Sequence, residues 1–338
     1  MDIIEVLTKL TSAPGVSGEE NCACKAVAEI LSDYAQVQTD DFGNVYGQAG
    51  DFSEDKKTLL LDAHIDEIGM IVTSVTDDGF LKVSGCGGLD GRVLLAQQVS
   101  VYGKEKLTGF ITSTPPHLEK DSSAVPEMDS IYVDTGLSGE KAKELVSLGD
   151  RVLIENKLEK MSGTKVTSKA LDDRCGAAAI LLALDMLKGK KTKYNISVLF
   201  SAQEETGERG AQTGAYKAKA DLAVAVDVSF GLTHGEKEED CGKLGGGGMI
   251  GIAPSLSREM SDGLVCAAKK KNIPYQLEIM SGKTGTNADA IGISRGGVKT
   301  VTLSIPIKYM HTPVEVCDIK DIENTAELIA AFAESEGE

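Results

Sequence analysis

Four histidines occur in the 338-residue chain, at 64, 117, 234 and 311, and two of them stand where metal chemistry is within reach. His64 follows the apolar run Thr58-Leu-Leu-Leu-Asp-Ala63, and His311 follows a second apolar run, residues 298–305, after a short loop. Acidic clusters take comparable places. Asp172-Asp173 precedes a helical pattern, Glu204-Glu205 follows the run at 196–201, and Asp227 ends Leu222-Ala-Val-Ala-Val. Singly, each has an ordinary explanation as a core histidine, a helix cap or a turn residue. Gathered at one sheet edge, several carboxylates repel one another and need cations to neutralise them. Imidazole nitrogens and carboxylate oxygens suit zinc, cobalt or manganese, and a set without thiolate does not suit a purely structural zinc.

The pair Glu204-Glu205 is the most informative detail. Adjacent residues at a strand end project differently, so one can bind metal while the other faces substrate and moves protons as a general base. In His64-Ile-Asp66 the carboxylate stands close enough to accept the imidazole's second N–H and set its tautomer. His117, in Thr114-Pro-Pro-His-Leu, is expected on an exposed loop, and His234 is not assigned to the cage.

The elements that must position these groups follow from periodicity. Ile3, Ile4, Leu7 and Leu10 mark a helix ending near Ser12, and a second helix is expected over 19–33. A hairpin joins strands near Val37 and Val45, and residues 58–63 form a central buried strand. From 68 to 164 the texture changes to short strands at 70–73, 80–83, 93–101, 107–112 and 131–134, with one helix at 138–146. That is the pattern of a small β-rich insertion. Helices at 174–187, 207–218, 257–271 and 321–333 then alternate with strands at 196–201, 222–227, 276–279 and 298–305. The fold class expected is α/β: a mostly parallel, helix-covered catalytic domain from residues 1–67 and 165–338, interrupted by a β-rich domain at 68–164. The glycine run at 245–248 is expected to be a flexible turn. In such sheets ligands gather at the C-terminal edge of the strands, where His64 and His311 fall.

Composition narrows the partners. A net charge of -17 and a pI near 4.8 oppose contact with phosphate backbones, so no nucleic acid is expected. No Trp and 4% aromatic residues leave little for stacking on sugars or bases. No apolar stretch approaches the ~18 residues of a membrane span, and the first residues carry acids where a secretory leader needs a basic start. The seven cysteines are odd in number and irregular in spacing, which reads as free, buried thiols in a reducing cytoplasm.

Five ordered motifs resemble the TET-type glutamyl/leucyl aminopeptidase family, family forty-two of the metallopeptidases. They are Asp62-Ala-His64-Ile-Asp66-Glu-Ile-Gly, Lys169-Ala-Leu-Asp172-Asp-Arg-Cys-Gly176, Glu204-Glu-Thr-Gly-Glu-Arg-Gly-Ala211, Asp227-Val-Ser and Tyr309-Met-His311-Thr-Pro-Val-Glu315. The resemblance spans essentially the whole chain. It implies two divalent metals per subunit, zinc or cobalt, bridged by Asp172, whose peptide to Asp173 would be cis. His64 and Asp227 would complete one metal, and Glu205 and His311 the other. Glu204 would be the general base, acting on a water between the metals that attacks the first peptide bond, and Asp66 would orient His64. The insertion would be an apical domain, and subunits would form a homo-oligomer, up to a tetrahedral dodecamer acting on peptides. Residues 281–290, with Thr286, Asn287 and Asp289, would help form the substrate pocket. The segment Asp227-Val-Ser-Phe-Gly-Leu-Thr-His234 departs from the family's usual Asp-Val-Thr. Two other readings share parts of this set. A related deacylase or carboxypeptidase would use the same cage beside an α/β second module. A glycoside hydrolase would need carboxylates farther apart than neighbours in sequence.

Overall fold

The computed structural model describes residues 1–113 and 128–335. Asp2 caps α1 (Ile3–Ser12) by accepting from the Ile4 and Glu5 amides, and Ile3, Val6, Leu7 and Leu10 turn inward. The second helix, α2 (Asn21–Leu31), is shorter at both ends than its periodicity suggests. Strands β1 (Gln36–Thr39) and β2 (Val45–Ala49) form the expected hairpin, its turn closed by Asp40 accepting from Phe42 and Asn44. The apolar run becomes β3 (Thr58–His64), buried from Leu59 onward.

The β-rich stretch is a closed barrel. Its strands are β4 (Gly69–Val75), β5 (Leu81–Cys86), β6 (Gln98–Tyr102), β7 (Lys106–Thr112), β8 (Tyr132–Asp134) and, after α3 (Gly139–Leu145), β9 (Arg151–Ile154), in the order β4-β5-β8-β7-β6-β9. Alternate residues such as Met70, Val72, Leu81, Val99, Val101 and Val152 fill its interior, giving it a core of its own. One expectation changes here, and one strand was not expected. The strand expected from Val93 starts only at Gln98, because residues 91–93 coil into a 3-10 turn capped by Asp90. The closing strand β9 is too short to stand out from periodicity.

The chain then returns through β10 (Glu159–Lys160), β11 (Lys165–Ser168), α4 (Leu171–Leu187), β12 (Asn195–Ser201), α5 (Arg209–Ala218), β13 (Leu222–Phe230), β14 (Gly248–Ile252), α6 (Arg258–Lys271), β15 (Tyr275–Ile279), α7 (Asn287–Gly292), β16 (Lys299–Lys308), β17 (Glu315–Asp318) and α8 (Ile319–Ala333). An 11-stranded sheet results, with β1-β2-β12-β3-β13-β16-β17-β11-β10 in order and β14 and β15 branching from β16. The four central strands β12, β3, β13 and β16 are parallel; β2, β17 and β14 join them antiparallel, and β15 lies parallel to β14. Helices α1, α2, α4, α6 and α8 cover one face and α5 and α7 the other. None of the described helices is long and apolar enough to cross a membrane.

The glycine run does form the expected turn, at 244–246, and that turn is tied down. Asp321 accepts from the Gly245 and Gly247 amides, each at 2.7 Å, and a Cβ on Gly247 (φ +90°) would strike the Pro274 carbonyl. Gly248 already belongs to β14. The cysteines are all free, but Cys22 and Cys266 are exposed, because both lie on the outward faces of α2 and α6.

Candidate active site

Strand register delivers most of the site to one edge. His64 is the last residue of β3 and pairs in register with Ser201, the last residue of β12. The turn after Ser201 carries Glu204 and Glu205, with Gln203 in the left-handed region. On the other side of β3, pairing with β13 stops at Ala225, yet β13 runs on to Phe230 because β16 still pairs with it. Asp227 is therefore inside a strand and not at its end as expected. Asp172 has an extended backbone and Asp173 a non-helical one (φ -114°, ψ 37°) ahead of the regular turns of α4, and the peptide between them is cis. His311 arrives three residues after β16 ends.

These side chains meet around Asp172. His64 Nε2 lies 3.0 Å from Asp172 Oδ1, and His311 Nε2 lies 3.3 Å from Oδ2. Asp227 Oδ1 is 3.9 Å from His64 Nε2, and Glu205 Oε1 is 3.4 Å from His311 Nε2. The carboxylate thus faces two clusters at once, His64 with Asp227 and His311 with Glu205. Potential ligand atoms of His64, Asp172 and Glu205 all lie within 4.8 Å of one another, as do those of His64, Asp173 and Asp227. Asp173 is the one member not expected; its Oδ1 accepts from the Gly176 amide at 3.1 Å, which commits that oxygen to the start of α4.

Electrostatics show why such a set suits cations. Burial, with repulsion from Asp172, pushes Glu205 up to about 10, and burial holds Asp227 well above the ordinary carboxylate range. Burial also raises Glu204, to about 7. Burial acts on Asp172 in the same sense, but its contacts with His311 and His64 outweigh it and hold that carboxyl low. The donors are imidazole nitrogen and carboxylate oxygen throughout, a chemistry that fits divalent metal.

Other carboxylates hold this cluster by its backbone. Asp66 accepts from the Glu204 amide at 3.0 Å and from the Glu205 amide at 3.1 Å, so it pins the turn that bears both glutamates. Its distance to His64 Nδ1 is 3.5 Å, looser than a normal hydrogen bond. Glu315, fully enclosed, accepts from the Asp172 amide at 3.1 Å through one oxygen and from the His311 amide at 3.0 Å through the other. From the barrel side, Gly87 and Gly88 close over the cluster: a Cβ on Gly88 would sit 2.7 Å from His311 Nδ1. Neither spacing nor residue type marks out Glu315, Gly87 or Gly88 in the sequence. The available signal for Glu315 was its place in the last motif, four residues after His311.

A cavity of about 610 Å³ opens beside the cluster, lined by His64, Asp172, Glu204, Glu205, Asp227 and His311 among others. Glu204 faces it without joining the closest ligand contacts. Of the three pocket residues expected from 281–290, Thr286 lines this cavity. Asn287 is instead buried, its amide donating to Asp62 and Ser201, and Asp289 folds its own loop by accepting from Thr284 and Gly285. His234 is exposed and not among the lining residues, and His117 lies outside the described residues. A second cavity of the same size lies between α6 and α8, but it gathers no imidazole and no carboxylate cluster.

Histidines and carboxylates converging at the C-terminal edge of parallel strands, next to an open cleft, form a set that could hold metal and support hydrolysis. Residues 43–328 match the M42 glutamyl aminopeptidase family, and the chain belongs to that family. A lysyl aminopeptidase from Pyrococcus furiosus is 33% identical, over 98% of this chain and 96% of its own. An aminopeptidase structure from Desulfurococcus kamchatkensis superposes with a TM-score of 0.92 at 36% identity, covering 98% of this chain and 94% of that one. The TET1 peptidase of Pyrococcus horikoshii, which can assemble into a tetrahedron or a large octahedral shell, gives 0.88 at 32%, covering 99% and 100%. The protein is accordingly an aminopeptidase, a hydrolase of peptide bonds.

Proposed function

We propose that this aminopeptidase removes N-terminal residues from peptides with two divalent cations, zinc or cobalt, held by His64, Asp172, Glu205, Asp227 and His311. The observation that carries the reading is Asp172, whose two oxygens face different imidazoles at 3.0 and 3.3 Å. When bound, such cations polarise a scissile carbonyl and make water acidic enough to attack at neutral pH.

The chain supplies the remaining steps. Glu204, in the cavity and outside the closest ligand contacts, takes the proton of the attacking water and delivers it to the departing amine. Asp66 is a positioning residue that fixes where Glu204 and Glu205 stand. Glu315 does the same for Asp172 and His311. Carboxylates around the cavity favour a substrate's protonated α-amine.

We divide the chain into a catalytic domain of residues 1–67 and 165–338 and an apical barrel domain of 68–164, the barrel helping to line the cleft. A homo-oligomer, up to a tetrahedral dodecamer, agrees with the assemblies of the Pyrococcus horikoshii relative. The cytoplasm agrees with seven free thiols. Turnover of aminoacyl-p-nitroanilides should vanish on chelation and return with zinc or cobalt. Equal turnover of N-acetylated substrates would overturn the aminopeptidase chemistry proposed for this cleft.

A further inference from the structure

The family description names glutamyl and the Pyrococcus furiosus relative lysyl activity, so names do not decide which residue this cleft accepts. The cleft itself carries more information. Its floor is one face of the sheet, where alternate residues of neighbouring strands line up. On β13 that face presents Asp227 and Ser229, and on β16 it presents Thr302 and Ser304, with Asp227 and Ser304 in register. Next come β14 and then the edge strand β15, where Gly251 stands in register with Glu278. Gly251 lets the Thr302 hydroxyl pack against β14, since a Cβ there would lie 1.9 Å from Thr302 Oγ1.

Glu278 reaches back over this floor. One of its oxygens accepts a short hydrogen bond from Ser229 Oγ, and the other accepts from Ser304 Oγ at 2.7 Å. Both donors are neutral hydroxyls, so they fix the carboxylate without cancelling its charge. Beside it, Thr302 is fully buried and lines the same cavity, and its Oγ1 has no hydrogen-bond partner among the described residues. A buried hydroxyl in that condition costs free energy until something bonds it. Among the described residues no Lys or Arg lines the cavity. Its mouth adds Glu239, 4.0 Å from Lys237, and Asp240.

We propose that this floor is the pocket for the N-terminal side chain and that it selects a basic one, lysine or arginine, with Glu278 pairing with its charge and Thr302 completing its hydrogen bonds. The inference rests on the aminopeptidase reading above. An ammonium or guanidinium brings only donors, which suits a carboxylate and a hydroxyl together. An acidic side chain would meet Glu278 as a like charge, and an aliphatic one would leave both groups unanswered. Met249, Leu277 and Met280 supply apolar wall for the methylene stem.

The test compares lysyl-, arginyl-, leucyl- and glutamyl-p-nitroanilide with the zinc- or cobalt-loaded enzyme, and measures binding of L-lysinamide, L-leucinamide and glutamic acid α-amide by calorimetry. The expected order of kcat/KM is lysyl and arginyl above leucyl, with glutamyl lowest. In Glu278→Gln the lysyl-to-leucyl ratio should fall about tenfold or more, the size of a lost charge-assisted hydrogen bond. Thr302→Val should lower it by less. An active enzyme that prefers leucyl or glutamyl substrates, or a lysyl preference untouched in both variants, overturns the pocket and leaves the aminopeptidase reading standing. If no substrate is cleaved but lysinamide still binds best and loses that advantage in Glu278→Gln, the pocket is supported and the catalytic reading fails.

Discussion

On one side of Asp172 the partners are His64 and Asp227, which come from interior strands and have side chains only 2% and 8% exposed. On the other side Glu205 and His311 come from the loops after β12 and β16, and the His311 side chain is 35% exposed. Strand positions are set by the ladder, through β12 for His64 and through β16 for Asp227, so these two need little further support. Loop positions have no such ladder. They are held instead by two buried carboxylates, Asp66 on the Glu205 amide and Glu315 on the His311 amide. One centre therefore has a half built into the sheet and a half bracketed onto it, and His311, in the bracketed half, is the member open to solvent, while Glu205 stays 5% exposed.

The comparison can be broken most severely at the residue shared by both halves. Asp172→Ala should remove both equivalents of zinc and all turnover, read by elemental analysis and aminopeptidase assay; retention of one tight ion would show that the halves are independent. Titration of metal-free enzyme with zinc should next resolve two unequal affinities. His311→Ala should remove the weaker and Asp227→Ala the tighter, whereas the opposite assignment would reverse the comparison. Glu315→Gln breaks one bracket, and about a 10- to 100-fold loss of metal affinity or activity is expected, as for other residues that orient ligands. That loss should fall on the weaker equivalent; an equal loss on both would mean that the Asp172 amide is the contact that matters. Gly88→Ala should have the smallest effect. It displaces His311 from the barrel side without removing a charge, so KM and the weaker equivalent should shift less than in Glu315→Gln.

Much of this was legible before any coordinates. The cage residues stand at or near the ends of apolar runs where charge is costly, so their positions announce a purpose. The helix at 3–12 follows from its period and its Asp2 cap, those expected at 174–187 and 257–271 fall on α4 and α6, and the barrel's alternating strands follow from their spacing. What was not legible depends on register. Asp227 looked terminal because Leu222-Ala-Val-Ala-Val stops being apolar there, yet β16 carries the pairing on to Phe230. β14 was hidden behind its glycines, and β9 and β17 are only four residues long. Asn287 and Asp289 seemed suited to a pocket, but one turns inward to Asp62 and the other closes its own loop. Thr302 and Ser304 did leave a trace, as polar residues alternating with Val301, Leu303 and Ile305 along β16. Their link to Glu278 needed the sheet.

The division of labour between Glu204 and Glu205 is the claim on which the chemistry turns, and metal content measured alongside turnover in Glu204→Gln and Glu205→Gln tests it most directly. The expected result is that Glu204→Gln keeps both ions while kcat falls about 10²- to 10⁴-fold, the contribution of a general base, and that Glu205→Gln loses one ion. Loss of an ion from Glu204→Gln with both retained in Glu205→Gln would contradict it.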